Sequence, residues 1–89
     1  MSTPHGRPRI DARMRLQFEE VQQAWVLLYP EGMVKLNSSA AEIMRRCDGT
    51  RDEAGIVAEL ESAFDTIGIA PEVTAFLLHA TGQGWLQWT

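Results

Sequence analysis

Eighty-nine residues, 45% of them hydrophobic and 22% charged, suffice for one core but not for a deep catalytic cleft between subdomains. The single cysteine excludes an internal disulfide and a thiolate metal cage. The net charge of −4 is unevenly spread: all eight Lys and Arg lie at or before Arg51, leaving an acidic C-terminal half that would repel phosphates.

Met1 to Pro8 has no apolar periodicity and is expected to be a mobile tail, with residues 9–89 forming one domain. No stretch suits a signal peptide or a membrane span, so a soluble cytoplasmic protein is expected. From Arg13 to Glu19 polar and apolar residues alternate, which puts Met14, Leu16 and Phe18 on one face of a half-buried strand. After a polar connection to Ala24, Trp25–Tyr29 reads as a second strand. Pro30-Glu31-Gly32 then supplies a hairpin turn, because Pro presets the first corner and Gly tolerates the next. Met33–Leu36 is a short third strand whose Lys35 marks it as an edge.

Helices follow. Ser39-x-x-Glu42 has capping-box spacing, with Asn37 or Ser38 as alternative caps, and Ala40, Ile43, Met44 and Cys47 make an apolar stripe. Arg45 and Arg46 suit the helix end, and Asp48-Gly49 stops it. Thr50-x-x-Glu53 opens the next helix, with Ile56, Val57, Leu60 and Phe64 along its stripe. After Ile67-Gly68-Ile69, Pro71 starts a third helix with Val73, Phe76, Leu77 and Ala80 at core spacing. Gly82 and Gly84 end it, and Trp85, Leu86 and Trp88 are expected to fold back on the core. The sum is an α+β, winged helix-turn-helix-like domain: a small three-stranded antiparallel sheet followed by three helices.

The residues carry little chemistry. Cys47 occupies an apolar helical position and reads as a buried structural thiol. His5 and His79 are too far apart in sequence to suggest a metal site, and Glu19-Glu20 and Glu59-x-Glu61 read as solvated faces. No catalytic residue, metal or cofactor is expected. Nucleic acid is set aside as well, because Pro71–Thr81 offers no Arg, Lys, Asn or Gln to a groove. What remains is an interaction domain with an open edge at Met33–Leu36, where an extended peptide can add as a strand. Leu78, apolar but off the main stripe of the third helix, suggests an apolar wall alongside. The alternative on these grounds is a winged-helix DNA-binding regulator.

Leu28-Tyr-Pro-Glu-Gly32, Lys35-Leu-Asn37, Ser39-Ala-Ala-Glu-Ile43 and Cys47-Asp-Gly-Thr50 together resemble the pyrroloquinoline quinone (PQQ) biosynthesis protein D family, PqqD. Ile56-Val-Ala-Glu-Leu60, Val73, Phe76-Leu77 and Gly84-Trp-Leu86 keep the register, so the resemblance spans residues 8 to 88. Pro71-Glu-Val73 departs from the Asp-Val pair frequent at that point in relatives, but keeps an acid near the helix start. The resemblance implies a non-catalytic peptide chaperone without a metal; the pathway it implies, taken with the three tryptophans, gives a small quinone-binding protein as a further alternative. Such a protein binds the ribosomal PQQ precursor peptide and presents it to a radical S-adenosylmethionine (SAM) enzyme that cross-links a Glu and a Tyr. It also implies a leader strand clamped between the third strand and the third helix. Mapped here, the binding residues are Met33, Val34, Lys35 and Leu36 on the edge, and Leu77, Leu78 and Thr81 on the helix. Lys35, Arg45 and Arg46 are candidates to pair with peptide acids. Arg7, Arg9, Arg13 and Arg15 either touch the enzyme or form a solvated segment. A monomer is expected, with strand pairing or swapping about Pro30-Glu31-Gly32 as the route to a dimer when concentrated.

Overall fold

The computed structural model describes residues 2–89 as five strands and three helices around one core. Strands β2 (Arg15–Glu19), β3 (Ala24–Tyr29) and β4 (Gly32–Lys35) form an antiparallel sheet in the order β2-β3-β4. Helices α1 (Ser38–Met44), α2 (Glu53–Ala63) and α3 (Ala70–Gly82) follow. This is the α+β arrangement expected, with a two-stranded ribbon added: β1 (Pro8–Ile10) pairs antiparallel with β5 (Leu86–Trp88).

That ribbon corrects the sequence reading. Pro8 is buried and pairs with Trp88, so it belongs to a strand and not to a tail. As the first strand residue it needs no N–H, while its carbonyl accepts from Gly49 N at 3.0 Å. Arg7 and Thr89 exchange backbone hydrogen bonds at 2.8 and 3.1 Å. Earlier still, the Thr3 hydroxyl donates to Glu53 Oε1, and Thr74 of α3 donates to the other oxygen of that carboxylate. Met1 of the expected tail lies outside the described residues.

The hairpin forms where expected, but its turn is the two residues Pro30-Glu31: Gly32 has no positive φ and pairs with Tyr29 as the first residue of β4. Among the three caps open for α1, Asn37 takes the role: its Oδ1 accepts from Ala40 N at 2.8 Å. The cap of α2 is Asp52 and not Thr50. Thr50 is drawn back by Asp48, whose Oδ1 accepts from both its N–H and its hydroxyl, and Asp52 is left to accept from Gly55 N at 2.8 Å. Between α1 and α2, Gly49 has the left-handed φ of +84° expected of it. Leu27, Met44, Ile56, Val73 and Leu77 make the centre of the core, each at most 2% exposed. Trp85 and Leu86 fold back onto it, at 8% and 4% exposed.

Candidate functional site

Strand β4 has one neighbour, so its other side is a free edge. Which backbone groups face outward follows from the ladder. Leu36 N donates to Trp25 O at 2.9 Å, which makes Trp25–Leu36 a hydrogen-bonded pair. Antiparallel pairing alternates, so Leu27–Val34 and Tyr29–Gly32 are bonded pairs too. Met33 and Lys35 therefore turn their N–H and C=O groups away from β3. Side chains alternate as well: Leu36 is buried and Val34 half-buried toward the helices, while Met33, 49% exposed, and Lys35 face the opposite side of the sheet.

Beside this edge runs a cleft of about 450 Å3. Val34, Lys35 and Leu36 form one side, Asn37, Ser39, Ala40 and Ile43 of the α1 region close one end, and Glu72, Phe76 and His79 of α3 form the opposite wall. The spacing of those three, i, i+4 and i+7, places them on one helical face. Trp85 forms the floor, with the His79 ring edge-on to it at 5.5 Å between centroids. Toward the hairpin the cleft continues into a second hollow of about 360 Å3 that shares Val34 and Trp85 and reaches Arg13, Glu31 and Gln83. The two make a continuous channel along β4.

The residues expected to bind divide sharply. Met33–Leu36 lie on the edge and, from Val34 onward, border the cleft. Leu77 is fully buried in the core. Leu78 and Thr81 share a face with Thr74 (i, i+4, i+7), and that face looks elsewhere: Thr74 meets Glu53 of α2, and Thr81 accepts the Trp88 indole N–H. The helical wall is therefore Glu72, Phe76 and His79, about half a turn of helix from the face centred on Leu77, Leu78 and Thr81. A signal existed in Phe76, the bulkiest side chain on the apolar stripe of α3.

Arg45 and Arg46 are engaged within the protein. Arg45 lies over the Trp25 ring at 5.0 Å and bonds Glu42. Arg46 donates to the Glu42 carbonyl at 2.9 Å and its carboxylate at 2.8 Å, and lies over Phe64. Of the three cations singled out in the sequence, Lys35 alone has no ion-pair partner among the described residues.

Cys47 fits a structural role: burial pushes its thiol up to about 12, and Sγ donates to the Ile43 carbonyl at 3.3 Å. Among the described residues no group of three or more His, Cys, Asp or Glu is placed to hold a metal ion, and no helix is long and apolar enough to cross a membrane. The channel combines an exposed backbone edge with an aromatic floor, and the Lys35 ammonium stands on the other face of the same strand.

The sequence and the fold both match known proteins. The family model described as Coenzyme PQQ synthesis protein D (PqqD) matches residues 24–86. A PqqA binding protein of Methylococcus capsulatus is 46% identical over 74 residues, covering 83% of this chain and 80% of its own. That of Pseudomonas aeruginosa is 49% identical over 81 residues, covering 90% and 88%. That of Azotobacter vinelandii is 46% identical over 87 residues, covering 97% and 95%. Among solved structures, the solution structure of the PqqD portion of Methylobacterium extorquens PqqCD superposes with a TM-score of 0.69 at 26% identity, covering 90% of this chain and 87% of that one. It is described as a stand-alone recognition element for ribosomally synthesized and post-translationally modified peptides.

Proposed function

The chain belongs to the coenzyme PQQ synthesis protein D family, and on that premise we propose that it binds the PqqA precursor peptide as an added strand on β4. In this reading it is a non-catalytic carrier that presents the peptide to the radical SAM enzyme which cross-links Glu and Tyr. The observation that carries the reading is the outward-facing backbone of Met33 and Lys35 beside an apolar channel. Relatives called PqqA binding proteins support the choice of peptide.

The division of labour follows from magnitudes. A peptide running antiparallel to β4 makes up to two hydrogen bonds each with Met33 and Lys35, which set its register. Each contributes only about 0.5–1.5 kcal/mol net, because water already serves the free edge. Affinity rests mainly on the side chains opposite Val34 and Leu36. They point into the cleft against Phe76 and Trp85, at roughly 25 cal/mol per Å2 of apolar surface buried. Lys35 on the rim adds a salt-screened attraction for peptide acids. Residues of the peptide outside the channel stay free for the enzyme.

Amide exchange read residue by residue tests this. In the free protein the Val34 and Leu36 amides exchange slowly and those of Met33 and Lys35 fast; adding PqqA slows the second pair. Binding that leaves Met33 and Lys35 exchanging as before would rule out strand addition.

A further inference from the structure

A third hollow, of about 320 Å3, opens where β4 ends. Its walls are apolar: Ile43 of α1, Leu60 and Phe64 of the α2 end, and Ile69 and Val73 at the start of α3. It shares Ser39, Ile43 and Glu72 with the cleft beside β4, so the two are continuous past the strand's C-terminal end. The hollow is built, not incidental. Glu61 Oε2 accepts from Gly68 N at 2.8 Å and Ile69 N at 3.3 Å, while the Glu61 carbonyl accepts from Thr66 N at 3.0 Å. Those bonds fasten the α2–α3 loop to α2 at Thr66 and Ile69, the two loop residues that line the hollow. Phe64 on its wall is 54% exposed, with the Arg46 guanidinium over its ring at 5.8 Å.

We propose that this hollow is a specificity subsite for one large apolar side chain of the bound peptide, Leu, Ile, Met or Phe in class, N-terminal to the strand-paired stretch. The inference rests on the strand-addition reading and deepens it. The register supplies the position. In antiparallel addition the residue opposite Leu36 points into the cleft. The next inward-pointing side chain lies two residues earlier, about 7 Å further along, which is past the end of β4 and at the mouth formed by Ser39 and Glu72. No backbone edge remains there for hydrogen bonding, since Asn37 and Ser38 already begin α1. An apolar side chain is the one element of the peptide this place can hold. An acidic residue there would meet Glu72, and the site discriminates against it.

The test is a double-mutant cycle by calorimetric titration. One arm is Thr66→Trp, an exposed position whose indole fills the hollow; the other is an alanine scan of the PqqA residues preceding the strand-paired stretch. With the wild-type protein, alanine at one apolar position weakens binding about tenfold. Thr66→Trp weakens the native peptide by a similar factor, and in that variant the same alanine change costs nothing further. Phe64→Ala, which removes one wall, lowers affinity severalfold at the same peptide position and serves if the tryptophan disturbs folding. Additive losses across the cycle, or a scan with no sensitive apolar position, would overturn the subsite. Phe76→Ala separates the two readings: it weakens every peptide alike if the main cleft is correct. If Phe76→Ala has no effect, or the native peptide fails to bind at all, strand addition itself falls and the subsite with it.

Discussion

The Trp88 indole N–H donates to the Thr81 hydroxyl at 3.0 Å, and that hydroxyl donates in turn to the Leu77 carbonyl at 2.6 Å. The chain of two bonds ties the last strand to the last turn of α3. It also uses the one hydroxyl proton of Thr81 and holds that side chain against β5, away from the residues that line the cleft.

Thr81→Ala is accordingly expected to cost about 0.5–1.5 kcal/mol of folding free energy, with the partly buried Trp88 N–H left to find water. Peptide affinity should not change. Urea denaturation alongside calorimetric titration checks both halves, and a weakened complex at unchanged stability would return Thr81 to the binding surface.

Three neighbouring positions on α3 separate wall, core and outer face. Phe76→Ala removes an aromatic wall of the cleft and should weaken peptide binding roughly tenfold, about 1.4 kcal/mol, with a modest loss of stability. Leu77→Ala empties a fully buried site and should cost about 2–5 kcal/mol of stability. Leu78→Asp, on the face shared with Thr74 and Thr81, should leave affinity within about twofold. Affinity that tracks Leu78 and ignores Phe76 would invert the assignment of faces.

That inversion was the natural error from sequence, and its cause is physical. Helix α3 carries Val73, Phe76, Leu77, Leu78 and Ala80, so its apolar residues span more than one face and the period alone does not say which face is floor and which is wall. What decides is tertiary: Glu53 and Trp88 claim the face of Thr74, Leu78 and Thr81. The β1–β5 ribbon was illegible for a related reason. Its strands are three residues each, and Pro8 meets Trp88 across nearly the whole chain, a pairing with no local trace. The hairpin at Pro30-Glu31 and the helix stop at Gly49 could be read because each is fixed by two or three adjacent residues.

Asp11 gives the fold an acid limit. Its carboxylate accepts from the Arg13 side chain and backbone N–H at 2.9 Å each and from Gln87 at 2.6 Å, and these bonds, Arg13 foremost, hold its pKa well below the usual carboxylate range. A group whose pKa is depressed by folding stabilises the protein above its unfolded value, near pH ~3.9, and that contribution fades as pH falls from there toward the folded value. Asp11→Asn should therefore melt at a lower temperature than wild type near neutral pH, with the gap closing on acidification below about pH 4. Differencing against wild type cancels the other carboxylates, Asp48 included, whose bonds with Thr50 also lower its pKa. A gap that stays constant down to strong acid would mean that the charge of Asp11 contributes nothing.

Proline scanning of β4 tests the outward-facing backbone directly. Val34 N–H is committed to the buried Leu27 carbonyl by the ladder, so Val34→Pro should cost roughly 1–3 kcal/mol for an acceptor left unserved, with strain beyond that. Lys35 N–H points to solvent on an edge strand, where proline is tolerated, so Lys35→Pro should leave the melting temperature close to that of Lys35→Ala. The two Lys35 variants share the loss of the ammonium and differ in the backbone, where proline removes the donor and fixes φ. Lys35→Ala should lose the salt-sensitive part of peptide affinity, and Lys35→Pro should lose a further threefold to tenfold, about one hydrogen bond, at every salt concentration. Equal affinities for the alanine and proline variants would mean that no peptide backbone pairs at Lys35, and the added strand would have to lie elsewhere.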